Sequence, residues 1–187
     1  MRIVAGAHKG REIVAPPGRN TRPTSDRARE SVFNILAHAP WSPGVEGRRV
    51  LDLFAGAGAL GLEALSRGAA FALFVETDEA ARGAIRDNIE ALGLFGQTRV
   101  HRRDATDLGV KPAGLGAPFD LVFLDPPYGR GLGETALAKL APGGWIGKEA
   151  ICVFECAAGE TPAHEGFDLL DTRTYGAAKV LFLKRAQ

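Results

Sequence analysis

From Arg49 onward the chain alternates short apolar runs with longer amphipathic ones, and this alternation constrains the fold more than any other feature. Val50–Phe54, Phe71–Val75, Thr98–Arg102, Phe119–Leu124 and Ile151–Phe154 read as strands. Leu60–Arg67, Asp78–Leu92 and Leu132–Leu140 read as helices between them, closed by Gly68, Gly93 and Pro142-Gly143-Gly144. Apolar strands separated by helices imply a parallel sheet covered on both faces. Two last runs, Phe167–Thr174 and Lys179–Leu183, have only four residues between them. That is too short for a parallel crossover, so they are expected to pair as an antiparallel hairpin. The pattern predicts an α/β fold with a mostly parallel sheet and a C-terminal antiparallel pair.

The first 40 residues read differently. Arg2–Ala5 and Arg11–Val14 are two short β-prone runs around a basic, glycine-containing tip, which predicts a small hairpin. Pro16 to Thr24 holds three prolines and is expected as an extended strap. A helix follows, with Ser25 as N-cap and Ala28, Val32, Ile35, Leu36 and Ala39 as its apolar stripe, ended by Pro40 and Pro43-Gly44. Residues 1–40 are therefore expected to be an appendage to a main domain over residues 41–187.

Charge sharpens this division. The whole chain nets +1, but residues 1–29 carry seven Lys or Arg against Glu12 and Asp26, a net of +5 that leaves −4 for the rest. A basic arm on a mildly acidic body suits a polyanion held at one end; a solvated arm without a partner fits the charge equally well. A chain of 187 residues buries roughly 70% of its unfolded surface without a staple. No apolar run approaches the roughly 18 residues of a membrane span, and the opening residues do not resemble a secretory signal. With Cys152 and Cys156 its only cysteines, the expectation is a reducing, cytoplasmic setting.

After the first strand the chain reads Asp52-Leu53-Phe54-Ala55-Gly56-Ala57-Gly58-Ala59-Leu60-Gly61, a G-x-G-x-x-G between strand and helix. That context suits a nucleotide at a helix N-terminus. Asp52 shifts the choice of ligand, because a carboxylate beside the loop repels a pyrophosphate and attracts a cation. S-adenosylmethionine carries an ammonium and a sulfonium. Glu76, 24 residues after Asp52, is placed to accept from ribose hydroxyls, and Asp104, beside Ala105, from an adenine amine. Three acids at the ends of three successive strands converge on one crevice. Each alone reads equally well as a surface or capping acid, and a hydride-transferring enzyme is the competing reading of the glycines.

The fourth strand ends in Leu124-Asp125-Pro126-Pro127-Tyr128. Two prolines stiffen this loop and bare its carbonyls. Asp125 and the Pro126 carbonyl suit the two hydrogens of an exocyclic amine, with Tyr128 stacked on its ring. Acceptors on both hydrogens favour a pyramidal nitrogen, aim its lone pair at a sulfonium methyl and stabilise the charge that develops. A guanine amine and an adenine amine fit this loop alike.

The glycine loop with Leu62-Glu63-Ala64-Leu65-Ser66-Arg67-Gly68 after it, Asp125-Pro-Pro-Tyr128, and the openings Arg2–Gly6, Lys9–Arg11 and Thr21–Arg27 together resemble the bacterial 16S rRNA (guanine(966)-N2)-methyltransferase family. The resemblance runs over nearly the whole chain, and its opening segment is the specific part. It implies a Rossmann-like class I methyltransferase preceded by a hairpin and helix, S-adenosylmethionine as donor, and a guanine of the small ribosomal subunit as substrate. The implied donor contacts are Asp52, Phe54, Gly56, Gly58, Glu76, Asp104 and Ala105, with Arg22 and Thr24 closing over from the strap. Lys9, Arg11, Arg22 and Arg27 become phosphate contacts, and Asp125, Pro126, Pro127 and Tyr128 the catalytic loop. Ala57 departs from the serine usual in the family. An adenine-N6 methyltransferase and a non-enzymatic RNA-binding module remain the alternatives.

The other reactive side chains carry less. His8, His38, His101 and His164 lack ligand spacing, so no metal is expected. Cys152 and Cys156 read as a buried inert pair, Glu155 as a rim carboxylate of the crevice, and Trp41 and Trp145 as covers at the core edge. A monomer is adequate for the chemistry.

Overall fold

The structure, a computed structural model, describes residues 1–17 and 26–186. Its sheet has seven strands: β1 (Arg49–Leu53), β2 (Phe71–Val75), β3 (Thr98–His101), β4 (Phe119–Leu124), β5 (Ile146–Ala157), β6 (Phe167–Tyr175) and β7 (Ala178–Arg185). They lie in the order β3-β2-β1-β4-β5-β7-β6. The first five are parallel, and β7 runs antiparallel to both β5 and β6. Tyr175 pairs with Ala178 across the turn that joins the last two strands.

Four helices connect them: α1 (Asp26–His38), α2 (Ala59–Ser66), α3 (Glu79–Leu92) and α4 (Leu132–Leu140). Helix α3 shows how local sequence sets a boundary. Asp78 accepts the Ala81 N–H at 2.8 Å as N-cap, and Gly93 takes the left-handed conformation that lets Leu94 close on the Ile89 carbonyl.

Each sheet face has its own core. On one, Leu62 and Leu65 of α2 and Ile85 and Ile89 of α3 pack on Phe74 and Phe123, together with Val32, Phe33 and Leu36 of α1. Ile3 and Ile13 of the N-terminal hairpin join the same cluster. On the other face Ala136, Leu137 and Leu140 of α4 pack on Val122, Leu124 and Phe154.

Several details differ from the sequence expectation. β5 begins at Ile146 rather than Ile151, because polar Gly147-Lys148-Glu149 form an irregularity inside the strand rather than a loop before it. The N-terminal hairpin is tighter than two strands, with one bridge, Arg2 to Glu12, and turns folded between. The buried stripe of α1 is Ala28, Arg29, Val32, Phe33 and Leu36; Ile35 is half-buried and Ala39 lies beyond the helix. Ser25 and the strap from Gly18 lie outside the described residues. Trp145 is fully buried instead of edging the core, with its Nε1 donating to the Gly109 carbonyl at 2.8 Å and its ring stacked on Phe119. Trp41 packs against Phe182. Among the described residues no helix is long and apolar enough to cross a membrane.

Candidate active site

The C-terminal ends of the five parallel strands carry acids in spatial order. Asp104 follows β3, Glu76 follows β2, Asp52 lies in β1, Asp125 follows β4, and Glu155 is in β5. All five line one cleft of about 860 Å³. Arg29, Arg103 and Arg130 supply cations to the same walls. This is the crevice in which open α/β sheets take their ligands.

The glycine loop builds one side. Phe54 turns the chain out of β1 with φ 59°, the one non-glycine residue at positive φ among those described. Such a conformation costs on the order of 1–3 kcal/mol and persists where the surroundings hold it. Gly58, at φ 79°, opens α2 from behind the cleft. Gly61 sits so close to β2 that a Cβ there would lie 2.4 Å from the Phe74 ring, so a glycine is required for the helix to approach. Its N–H donates to Asp52 Oδ2 at 2.9 Å. Ala57 presents its carbonyl to Asn88 Nδ2 at 3.1 Å, and Asn88 also bonds both backbone groups of Val14. The loop is thereby tied to the hairpin through backbone that Ala57 and a serine share.

The acids differ in their surroundings. Burial pushes the Asp52 carboxyl up to about 8; the Gly61 N–H opposes this and the charge of Glu76 adds to it. Asp125 also lies well above the ordinary carboxylate range, through burial first and then the charges of Glu155 and Asp52. Glu76 accepts the Gly56 N–H with one oxygen and the Asp78 N–H with the other, each at 2.9 Å, and so fastens the glycine loop to the start of α3. Asp104 is held below the usual range because the Thr106 hydroxyl and N–H both donate to it.

Opposite the glycine loop, Pro126 is buried and Pro127 exposed, and the Tyr128 hydroxyl donates to Glu155 Oε1 at 2.5 Å. Glu155 is only 8% exposed, deeper than the rim position expected for it. The structure thus brings Asp52, Phe54, Gly56, Glu76, Asp104, Ala105 and Asp125–Tyr128 to one cleft. Arg22 and Thr24 lie outside the described residues. Lys9, Arg11 and Arg27 are exposed and none lines the cleft; Arg11 donates to the Ala91 carbonyl near the end of α3.

Sequence reasoning missed Arg29. It is 1% exposed, bonds Asp26 at 2.9 Å and the Arg2 carbonyl, and faces Glu63 at 3.6 Å. Glu63, itself fully buried, accepts from the N–H groups of Val4 and Ala5 and from Arg67 Nε. A signal existed: Arg29, Val32, Phe33 and Leu36 share helical spacing, so a charge stands on an apolar stripe. Met1 lines the cleft too, with its carbonyl accepting the Ile13 N–H at 2.9 Å. Among the described residues no group of three or more His, Cys, Asp or Glu is placed to hold a metal ion. Cys152 and Cys156 are buried, and burial raises both thiols.

A parallel sheet that turns antiparallel only at its last two strands, with glycines after the first strand and Asp-Pro-Pro-Tyr after the fourth, defines a Rossmann-like class I methyltransferase. Comparison with known proteins narrows the class. The chain belongs to the family of ribosomal RNA small subunit methyltransferase D: a family model described as "Conserved hypothetical protein 95" matches residues 1–184. It is 41% identical to ribosomal RNA small subunit methyltransferase D of Escherichia coli K12 over 155 residues, 83% of this chain and 74% of that one. The protein of the same name from Haemophilus influenzae is 34% identical over 94% of this chain and 89% of its own. The solved structure of yhhF from Escherichia coli, a candidate methyltransferase by name, superposes with a TM-score of 0.82 at 34% identity, covering 99% of this chain and 97% of that one.

Proposed function

We propose that the protein transfers a methyl group from S-adenosylmethionine to the exocyclic N2 amine of a guanine in 16S rRNA, guanine 966 by family resemblance. It acts in the cytoplasm, as a monomer, on the small ribosomal subunit. The observation that carries this reading is the shared cleft: an acceptor loop for an amine stands across from a row of acids suited to a cationic nucleoside. The names of the family's other members support the nucleic acid.

The cleft fits the donor chemically. Asp52 is a buried carboxyl whose ionised form a cation stabilises, Glu76 keeps lone pairs toward a ribose, and Asp104 and Ala105 border the adenine end. S-adenosylmethionine supplies an electrophilic methyl on a positively charged sulfur. The protein's part is to present the amine. Asp125 and the Pro126 carbonyl take its two hydrogens, which localises the lone pair and offsets the positive charge forming on nitrogen. Tyr128 covers the base. Once methylated, the nitrogen is acidic enough to lose its proton without a dedicated base.

Labelled S-adenosylmethionine incubated with under-methylated small subunits should place label in N2-methylguanosine. Label in N6-methyladenine would overturn the base. Removing the carboxylate with Asp125→Ala should lower kcat by about 10²–10³, the usual loss for one donor or acceptor at a developing charge, while donor affinity stays nearly unchanged.

A further inference from the structure

We propose that Glu155 reads the N1 position of the target base, so that the cleft accepts guanine and rejects adenine. This rests on the methyl-transfer reading above and settles a choice that the Asp125–Tyr128 loop leaves open.

Placement comes from the sheet. Leu124 of β4 is in register with Phe154 of β5, so the next residues on these parallel strands, Asp125 and Glu155, stand side by side. Neighbouring strands are about 4.8 Å apart, and residues paired across them point to the same side. Both carboxyls line the cleft, and the charge of Glu155 helps hold the Asp125 carboxyl up. The Tyr128 hydroxyl, which donates to Glu155 Oε1 at 2.5 Å, orients that carboxylate toward the catalytic loop.

Base chemistry then discriminates. An ionised carboxylate only accepts hydrogen bonds. Guanine presents two adjoining donors on one edge, the N2 amine and N1–H; adenine presents its amine beside a bare N1 lone pair. Asp125 and the Pro126 carbonyl engage either amine. A second carboxylate alongside meets a donor in guanine and a lone pair in adenine, where it is left buried and repelled. Sites built to hydrogen-bond a group reject analogues that lack it far more strongly than apolar pockets reject a missing methylene.

The test replaces the target guanine in reconstituted small-subunit RNA by 2-aminopurine, which keeps the N2 amine but carries a lone pair at N1. Wild-type protein and Glu155→Gln are compared on both RNAs with S-adenosylmethionine. Wild type should prefer guanine by at least about 100-fold in kcat/KM, and Glu155→Gln, whose amide can also donate to N1, should bring that preference within about tenfold. Any contact to O6 affects both proteins alike, so the change in ratio isolates Glu155. Tyr128→Phe, which removes the hydroxyl that orients Glu155, should lower activity on both RNAs and weaken the guanine preference in the same direction as Glu155→Gln.

A Glu155→Gln protein that binds donor normally and keeps the wild-type ratio overturns the proposal, reducing Glu155 to an anchor for Tyr128. So does a wild type that methylates both bases within threefold, a result that needs no variant. In both cases N2-methylguanosine still forms on natural RNA, leaving the methyl-transfer reading intact. Absence of that product from the wild type overturns both.

Discussion

Asp52 is the most deeply buried carboxyl of the cleft. It is 1% exposed, and its proton is held to about pH 8. Below pH 4 folded and unfolded chains both keep this proton; near pH 4 only the unfolded chain gives it up. Between about 4 and 8 the folded state keeps the proton and the unfolded state does not, so stability falls as pH rises through that window. Asp52→Asn should therefore gain in Tm relative to wild type as pH is raised from 5 to 9. The same group couples to the donor, whose positive charge favours the ionised carboxylate. S-adenosylmethionine affinity should strengthen with pH below about 8, by at most about tenfold per unit, with proton release seen by calorimetry in buffers of different ionisation enthalpy. In Asp52→Asn both the slope and the released proton should disappear; a wild-type affinity flat from pH 6 to 8 would refute the coupling.

Among the elements, α2 joins the glycine loop to the N-terminal hairpin. Its first turn holds Asp52 through Gly61, and its second holds the hairpin through Glu63 and Ser66. Glu63 also faces Arg29 of α1, so three segments meet on one buried carboxylate. Breaking a buried ion pair on one side costs about 3–5 kcal/mol, and Glu63→Gln should lose that order of stability in urea unfolding while loosening the hairpin in hydrogen exchange. If exchange at Val4 and Ala5 is unchanged, the hairpin is held by Ile3 and Ile13 instead. Element identity was legible wherever one rule governed a segment. The parallel strands announce themselves as apolar runs and α3 by its Asp78 and Gly93 boundaries. The contact between Tyr128 and Glu155 was not, since they lie 27 residues apart and their hydrogen bond exists only through the β4–β5 register. The start of β5 was hidden by its polar irregularity, and the buried face of α1 by a charge that tertiary partners satisfy.

For the molecule as a whole, the acids gather at the strand ends in the cleft, while most of the cations of the N-terminal segment lie elsewhere. Net charge of +1 conceals this, and the position of Arg29 shows why: part of the basic excess is spent inside the protein, on Glu63 and Asp26. Lys9, Arg11 and Arg27 remain outside, on surfaces away from the cleft walls. A substrate touching all of them must extend well beyond one nucleotide, consistent with a structured RNA rather than a free base. Met1 adds a practical corollary. Because its carbonyl is fastened to Ile13 and the residue itself lines the cleft, a tag joined to its amino group starts beside the cleft. An affinity tag fused there should raise KM for RNA relative to the same tag fused after Gln187, and cleaving it should restore the lower value. The choice of which end to tag is thus an enzymological decision, made by a single backbone hydrogen bond at the first residue.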